Sequence, residues 1–256
     1  MKTTAFVLAL ASALIGSTAL HADTLEMRAD LWPPYNAEPG AALPGYIIEI
    51  LHVAFPSDTV NYKITPWPRA VKELNENKID AIIGAVKAEA PGAIFPDEEQ
   101  GHTDDSFFVA PSNPWRYTGI DSLKKVRVAG AADYAYDGGP VDAYLKTATL
   151  PAVQLLSGNA PLENNIKMLK AGRVDVIIED PAVIHFTLKK LSLPPTTLVI
   201  AGTVNPEPKP IYVAFAAGKP ESKRRAAQLS ATVIAMRADG RLAALLAKYG
   251  LCDWSK

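Results

Sequence analysis

The sequence predicts an α/β protein built as two lobes of similar topology, joined by a hinge of two chain segments. The first observation behind this is an internal echo: residues 74–83 read LNENKIDAII and residues 169–178 read LKAGRVDVII. In each copy a helix-ending Leu is followed at the same spacing by Ile or Val, then Asp, then an apolar run, as when a helix feeds a buried parallel strand. The second observation is a pair of polar, proline-broken stretches, 88–105 and 205–210, that interrupt the strand and helix patterns. They divide the chain into 23–103 with 210–256 as lobe 1, and 104–209 as lobe 2. Paired crossings of this kind are what a hinged clamp uses. In open α/β sheets ligands sit outside the carboxyl ends of the strands. Gly84, Ala85, Val86 and Lys87 after the first echo, and Glu179-Asp180 after the second, are therefore the first candidates for a shared cleft.

The elements follow in order. Residues 25–29 alternate as a strand and stop at Trp32-Pro33-Pro34-Tyr35, because two prolines halt helix and strand alike. A helix is predicted over 45–55, with Ile47, Ile48, Leu51, Ala54 and Phe55 at helical spacing, and a strand over 61–65. Pro68 opens a helix where its missing N–H costs nothing, and that helix runs to about 78 and into a strand at 80–85. Beyond the acidic break, strands at 106–110 and 126–129 flank a short turn at 121–123, and another strand covers 153–156. The helix opened by Pro161 carries Leu162, Ile166 and Leu169 on one face and closes at Gly172. A strand at 174–178, a helix at 181–191, a strand at 211–216 and helices at 221–237 and 240–248 complete the chain.

The bulk numbers exclude several functions. With 256 residues, 48% hydrophobic and 21% charged, the composition is that of an ordinary globular protein. A formal net charge of -1 gives no electrostatic reason to bind nucleic acid or an anionic membrane. Met1-Lys2, an uncharged and mostly apolar run over 5–20, and Leu20-His21-Ala22 before Asp23 together read as a secretory signal peptide cut after Ala22. No Cys follows that run, so an exported protein without a lipid anchor is expected. Cys252 is the single cysteine, which rules out an internal disulfide and a cysteine-based metal site. His52, His102 and His185 lack metal-ligand spacing, and no GxSxG, HExxH or P-loop is present. Neither metal nor cofactor is expected, and a monomer is.

Taken in order, the signal segment, the aromatic loop LWPPY after strand one, PGYIIEIL, VDVIIEDP and the ending MRADGRLAALLAKYG resemble the polar amino-acid-binding family of periplasmic solute-binding proteins of ABC importers. The resemblance spans the mature chain. It implies a type II, two-lobed fold closing on a small polar solute and handing it to a membrane permease. It also implies roles by position: Trp32 stacking on the ligand, Trp67 as a second aromatic wall, backbone groups of Gly84, Ala85 and Val86 with Lys87 where the family has Thr, and Asp180 beside Glu179 binding the ligand's ammonium. One departure stands out. The arginine with which the family clamps an α-carboxylate falls here on Pro91-Gly92, and no Arg lies between Arg69 and Arg116. Either Lys87, Arg69 or Arg116 replaces it, or the ligand is not an ordinary α-amino acid.

Each candidate has a plainer reading. Trp32 and Trp67 could be core aromatics, although Trp next to prolines at a strand's end is hard to bury; in a cleft they supply the apolar walls small-molecule sites need. Asp180 before Pro181 is an ordinary helix N-cap. Arg69 reads first as a surface charge on its helix and Tyr46 as core, and Tyr134 and Tyr136 read equally as a solvated loop. Two rival functions remain open. An exported dehydratase or lyase would reuse the cleft with a raised carboxyl at Glu179 or Asp180 as general acid. A ligand-dependent sensory receptor would present the closed clamp to a membrane partner.

Overall fold

The computed structural model describes residues 23–132, 134–158 and 160–254; the expected signal segment, 1–22, lies outside them. Lobe 1 opens with β1 (Thr24–Ala29), α1 (Tyr46–Ala54), β2 (Thr59–Ile64), α2 (Trp67–Asn75), β3 (Ala81–Ala85) and β4 (Gly101–Thr103). Lobe 2 holds β5 (Ser106–Val109), α3 (Ile120–Leu123), β6 (Val128–Ala131), α4 (Pro140–Thr147), β7 (Val153–Leu156), α5 (Pro161–Lys170), β8 (Val176–Glu179), α6 (Pro181–Lys190) and β9 (Val199–Thr203). The chain then returns to lobe 1 for β10 (Lys209–Phe215), α7 (Ser222–Ala238) and α8 (Arg241–Lys248).

The two sheets share one wiring. Lobe 1 is ordered β2-β1-β3-β10-β4 and lobe 2 β7-β6-β8-β5-β9, five strands each. In both, the first three strands are parallel and the fourth runs antiparallel to them. The α/β expectation with two lobes of similar topology therefore holds.

The echo has a structural cause. Asp80 donates its N–H to the Glu26 carbonyl at 2.8 Å while its Oδ2 accepts the Glu26 N–H at 2.8 Å. Asp175 repeats the exchange with Arg127, at 2.8 Å in both directions. A carboxylate just before the third parallel strand thus completes the pairing that the first strand leaves open at its start, where backbone groups would otherwise lack partners. Counter-charges sit on both: Arg225 on Asp80 at 3.3 Å, and Arg127 on Asp175 through two bonds of 2.7 and 2.9 Å. The helix ends match too, since Asn77 and Gly172 both adopt positive φ, 55° and 65°, one turn before the Asp.

Burial follows the periodicity. Ile47, Ile50 and Leu51 of α1 pack with Leu229, Val233 and Met236 of α7 and Leu242 and Leu246 of α8 over one face of sheet 1. In lobe 2, Leu162, Ile166 and Leu169 of α5 and Val183, Ile184 and Leu188 of α6 cover one face, and Phe107, Val128, Val176 and Ile178 face the other. Three elements escape the sequence reading: α4, β4 and β9. β4 has three residues, too few for a period, and β9 is an edge strand beside β5 whose Gly202 breaks its pattern. The expected strand at 126–129 lies at 128–131 instead, because Arg127 is held by Asp175 just ahead of it. The break at 205–210 also ends sooner, since β10 already pairs with β4 from Lys209.

Candidate functional site between the lobes

The loops after β1 and β6 meet, through Tyr134 on Asp30. Trp32, from the loop after β1, packs its ring 3.2 Å from where a Cβ would stand on Gly84, whose φ of 87° favours glycine. Its indole Nε1 donates to Glu179 Oε1 of lobe 2 at 3.0 Å. Gly84 and Glu179 hold the same place relative to the two echoes, so one tryptophan is gripped from corresponding points of both halves. Tyr35 stacks on Trp32 with ring centroids 4.1 Å apart and keeps its hydroxyl within reach of the His102 carbonyl and Asp180 Oδ2.

Tyr134, from the loop after β6, enters edge-on between Trp32 and Trp67, at 6.5 and 6.3 Å between centroids. Its hydroxyl donates to Asp30 Oδ2 at 2.5 Å, and the next residue, Ala135, donates its N–H to Glu89 Oε1 at 3.0 Å. These residues enclose about 30 Å³ of free space at the interlobe seam, room for about two water molecules. Small-molecule sites need about ten times more, so this part of the seam, closed by the Trp32–Glu179 and Tyr134–Asp30 contacts, is filled by the protein's own side chains, while an opening of about 240 Å³ adjoins it past Val86, Ala135 and Lys209. The hinge runs beside it: Lys209 at the second crossing pairs with Asp105 at the first, 2.9 Å apart, and donates to the Ala135 and Tyr136 carbonyls.

Closure sets the protonation. Burial pushes the carboxyls of Glu89 and Glu179 up to about 8 and those of Asp30 and Asp105 up to about 6. Burial also raises Asp180, against three backbone N–H donors that favour its charged form. The Tyr134 phenol is pushed far above its usual value by burial and by Asp30, so it keeps its proton and acts as donor.

The expected residues divide. Trp32, Trp67, Gly84, Val86 and Tyr134 line the cavity, and Glu179 stands behind Trp32 as its acceptor. The Val86 N–H is already taken by Glu89 Oε2 at 3.0 Å. Asp180 does not line it. Its Oδ1 caps α6 through the Ala182 and Val183 N–H groups, and its Oδ2 accepts from Asp104 N–H and Thr103 in the first crossing. Arg69 is a surface charge, its side chain 71% exposed and paired with Glu73 one turn on, which corrects its assignment to the cleft. Lys87 lies over the Tyr212 ring, 4.8 Å from its centroid, on the wall of the adjoining opening, and Ala85 packs in the core under α2. Arg116 is exposed and, among the described residues, bonds only its own loop. None of the three proposed replacements for the missing arginine lies in the cavity.

The sequence reading missed Asp30, Glu89, Asp105 and Lys209. A local signal existed for Asp30, an acidic residue at a strand's carboxyl end next to Trp32. None existed for Glu89, which lay in a segment read as irregular, or for Lys209, read as linker. Among the described residues no cluster of His, Cys, Asp and Glu is placed to hold a metal, no helix is long and apolar enough to cross a membrane, and Cys252 is free and exposed.

No family model matches the sequence, and neither does any curated protein. Solved structures do match. A histidine kinase sensor domain with similarity to periplasmic binding proteins superimposes with a TM-score of 0.69 at 18% identity, over 89% of this chain and 95% of that one. The substrate-binding protein of an amino-acid ABC transporter gives 0.67 at 18% identity, over 89% and 98%. An ancestral amino-acid-binding protein, a precursor of cyclohexadienyl dehydratase, gives 0.66 at 17% identity, over 88% and 95%. The chain has the two-lobed, type II periplasmic-binding-protein fold that these structures share.

Proposed function

We propose that this protein is an exported solute receptor that closes its two lobes on a small polar solute, an amino acid or amine-like molecule, and delivers it to the membrane permease of an ABC importer. The observation carrying this reading is that one cavity takes its walls from both lobes: Asp30, Trp32 and Trp67 from lobe 1 against Tyr134 and Ala135 from lobe 2. The two crossings run beside it, linked by Lys209 and Asp105. A clamp of this form responds to a solute through the solute's preference for the closed state. Apolar walls with a few buried polar groups would orient the guest, and exclusion of water would strengthen each charge pair inside. On this reading the protein is periplasmic after removal of residues 1–22, works as a monomer, and needs no cofactor.

A thermal-shift screen against a small-metabolite library tests it, because a compound that binds only the folded state raises the melting temperature. A hit that also reduces the radius of gyration by small-angle scattering supports capture between the lobes; a library without hits overturns it. The enzyme reading has one observation in its favour, the Glu89 and Glu179 carboxyls raised to about 8. Turnover separates the two: incubation of each hit followed by NMR leaves the compound intact if the protein is a receptor.

A further inference from the structure

Within the cleft the charges are one-sided. Among the described residues three carboxyl groups line the cavity, Asp30, Glu89 and Asp105, with Lys209 the one basic side chain in the same walls and Lys87 on the opening beside it. That ammonium is already held, by Asp105 at 2.9 Å and by the Ala135 and Tyr136 carbonyls. Asp105 is therefore matched within the protein, whereas Asp30 and Glu89 have neutral partners: the Tyr134 hydroxyl and the N–H groups of Val86 and Ala135. Both partners from lobe 2 sit on adjacent residues of a single loop and part from lobe 1 whenever the lobes open. Opening thus uncovers Asp30, with no counter-cation among the described residues, and Glu89, with only the already engaged Lys209 nearby, set among indole rings whose faces attract cations. A second and separate observation concerns Trp67. It is buried to 4% exposure in the cavity wall, and its Nε1 has no hydrogen-bond partner among the described residues. A buried donor of that kind calls for an acceptor supplied by a guest.

Resting on the receptor reading above, we infer that the solute is a compact organic cation, an ammonium or guanidinium compound without a carboxylate, whose charged head replaces the Tyr134 phenol on Asp30 between Trp32 and Trp67. Tyr134 shows the form of that seat: a flat group held edge-on between two indoles, with a donor aimed at a carboxylate. Glu89 receives any further donor of the cation, and a neutral acceptor, where the guest carries one as choline carries its hydroxyl, meets Trp67 Nε1. A carboxylate-bearing guest would bring an anion toward Asp30 and Glu89, with Lys209 already engaged. It is rejected for the same reason that a cation is accepted.

Matched pairs differing by one carboxylate test this directly: agmatine against arginine, cadaverine against lysine, and choline against glycine betaine, by calorimetry on the mature protein at pH 8. The expected result is that at least one carboxylate-free member binds at least tenfold more tightly than its counterpart. Asp30→Asn and Glu89→Gln, each shown to be folded by circular dichroism, then weaken that member at least tenfold. Tyr134→Phe keeps the ring and removes the competing hydroxyl, and binds the same cation at least as tightly as the unaltered protein. Tighter binding of the carboxylate-bearing members overturns the inference, as does a tenfold loss in Tyr134→Phe. Capture of a sugar or dicarboxylate from the library, with none of the cations binding, overturns the inference and leaves the receptor reading standing. Absence of any binder removes both.

Discussion

The indole N–H of Trp32 donates to the carboxyl of Glu179 at 3.0 Å, across 147 residues and from one lobe to the other. Trp32 is 8% exposed and Glu179 5%, so the contact exists only while the lobes are closed and neither group reaches water. It is a bond between halves rather than within a core, and its strength reports closure.

A double-mutant cycle on this pair measures that strength. Trp32→Phe and Glu179→Leu, each of which removes one partner of the bond, are each expected to lower unfolding free energy by about 1 kcal/mol at pH 4, where Glu179 holds its proton in the closed protein, with a coupling of about 1 kcal/mol between them in urea titrations. A coupling of zero would mean that the lobes stand apart in solution.

Stability should fall as pH rises. Glu89 and Glu179 titrate at about 8 when closed against a usual 4.5, and Asp30 at about 6 against 3.8. The closed protein therefore binds more protons than the unfolded chain between these values, and each carboxyl costs stability as pH climbs through that interval. Asp175 acts in the opposite sense: its hydrogen bond from Arg127 holds its carboxyl low, so its contribution is lost as pH falls below about 3.8. The melting temperature is expected to be highest at about pH 4, to decline to about pH 8 and to level off above it. Glu89→Gln with Glu179→Gln should flatten the decline in a fluorimetric scan.

Capture of a cation should expel protons. A positive head beside Asp30 and Glu89 favours their charged forms, so binding at pH 7 is expected to release a fraction of a proton up to about one. Calorimetry in buffers of different ionisation enthalpy reads this number, and affinity should strengthen from pH 6 to pH 8. Proton uptake would contradict it.

Asp180 is expected to act on stability. Asp180→Ala removes two N–H bonds at the start of α6 and two from the first crossing, and should cost about 1–2 kcal/mol in urea unfolding. Asp180→Asn, which still caps, should cost less.

Arg69→Ala is expected to change little. An exposed pair one helical turn apart contributes about 0.3–0.5 kcal/mol, and Arg69 and Glu73 form such a pair. Denaturation midpoint and ligand affinity should both stay within error of the unaltered protein.

The parts legible in sequence were those with local causes. The echo, the proline that opens α2 and the glycine that closes α5 are each determined by a few neighbouring residues, so helices and strands were placed correctly around them. β4 and β9 were missed because a short strand at a sheet edge is stabilised by its partners, β10 and β5, rather than by its own pattern. Glu179 and Asp180 are adjacent, yet one accepts from Trp32 and the other caps a helix; which carboxyl turns where follows from strand pairing and the helix start.

By itself the sequence determined the two α/β halves, since amphipathic period, capping and turn chemistry act over a few residues and need no distant partner. Tertiary structure alone decided the chemistry of the cleft. Asp30, Glu89 and Lys209 become its charged walls, and Tyr134 its occupant, only once two sheets fold and meet. Burial, which moves their proton affinities, is a property of the closed pair and of no single segment.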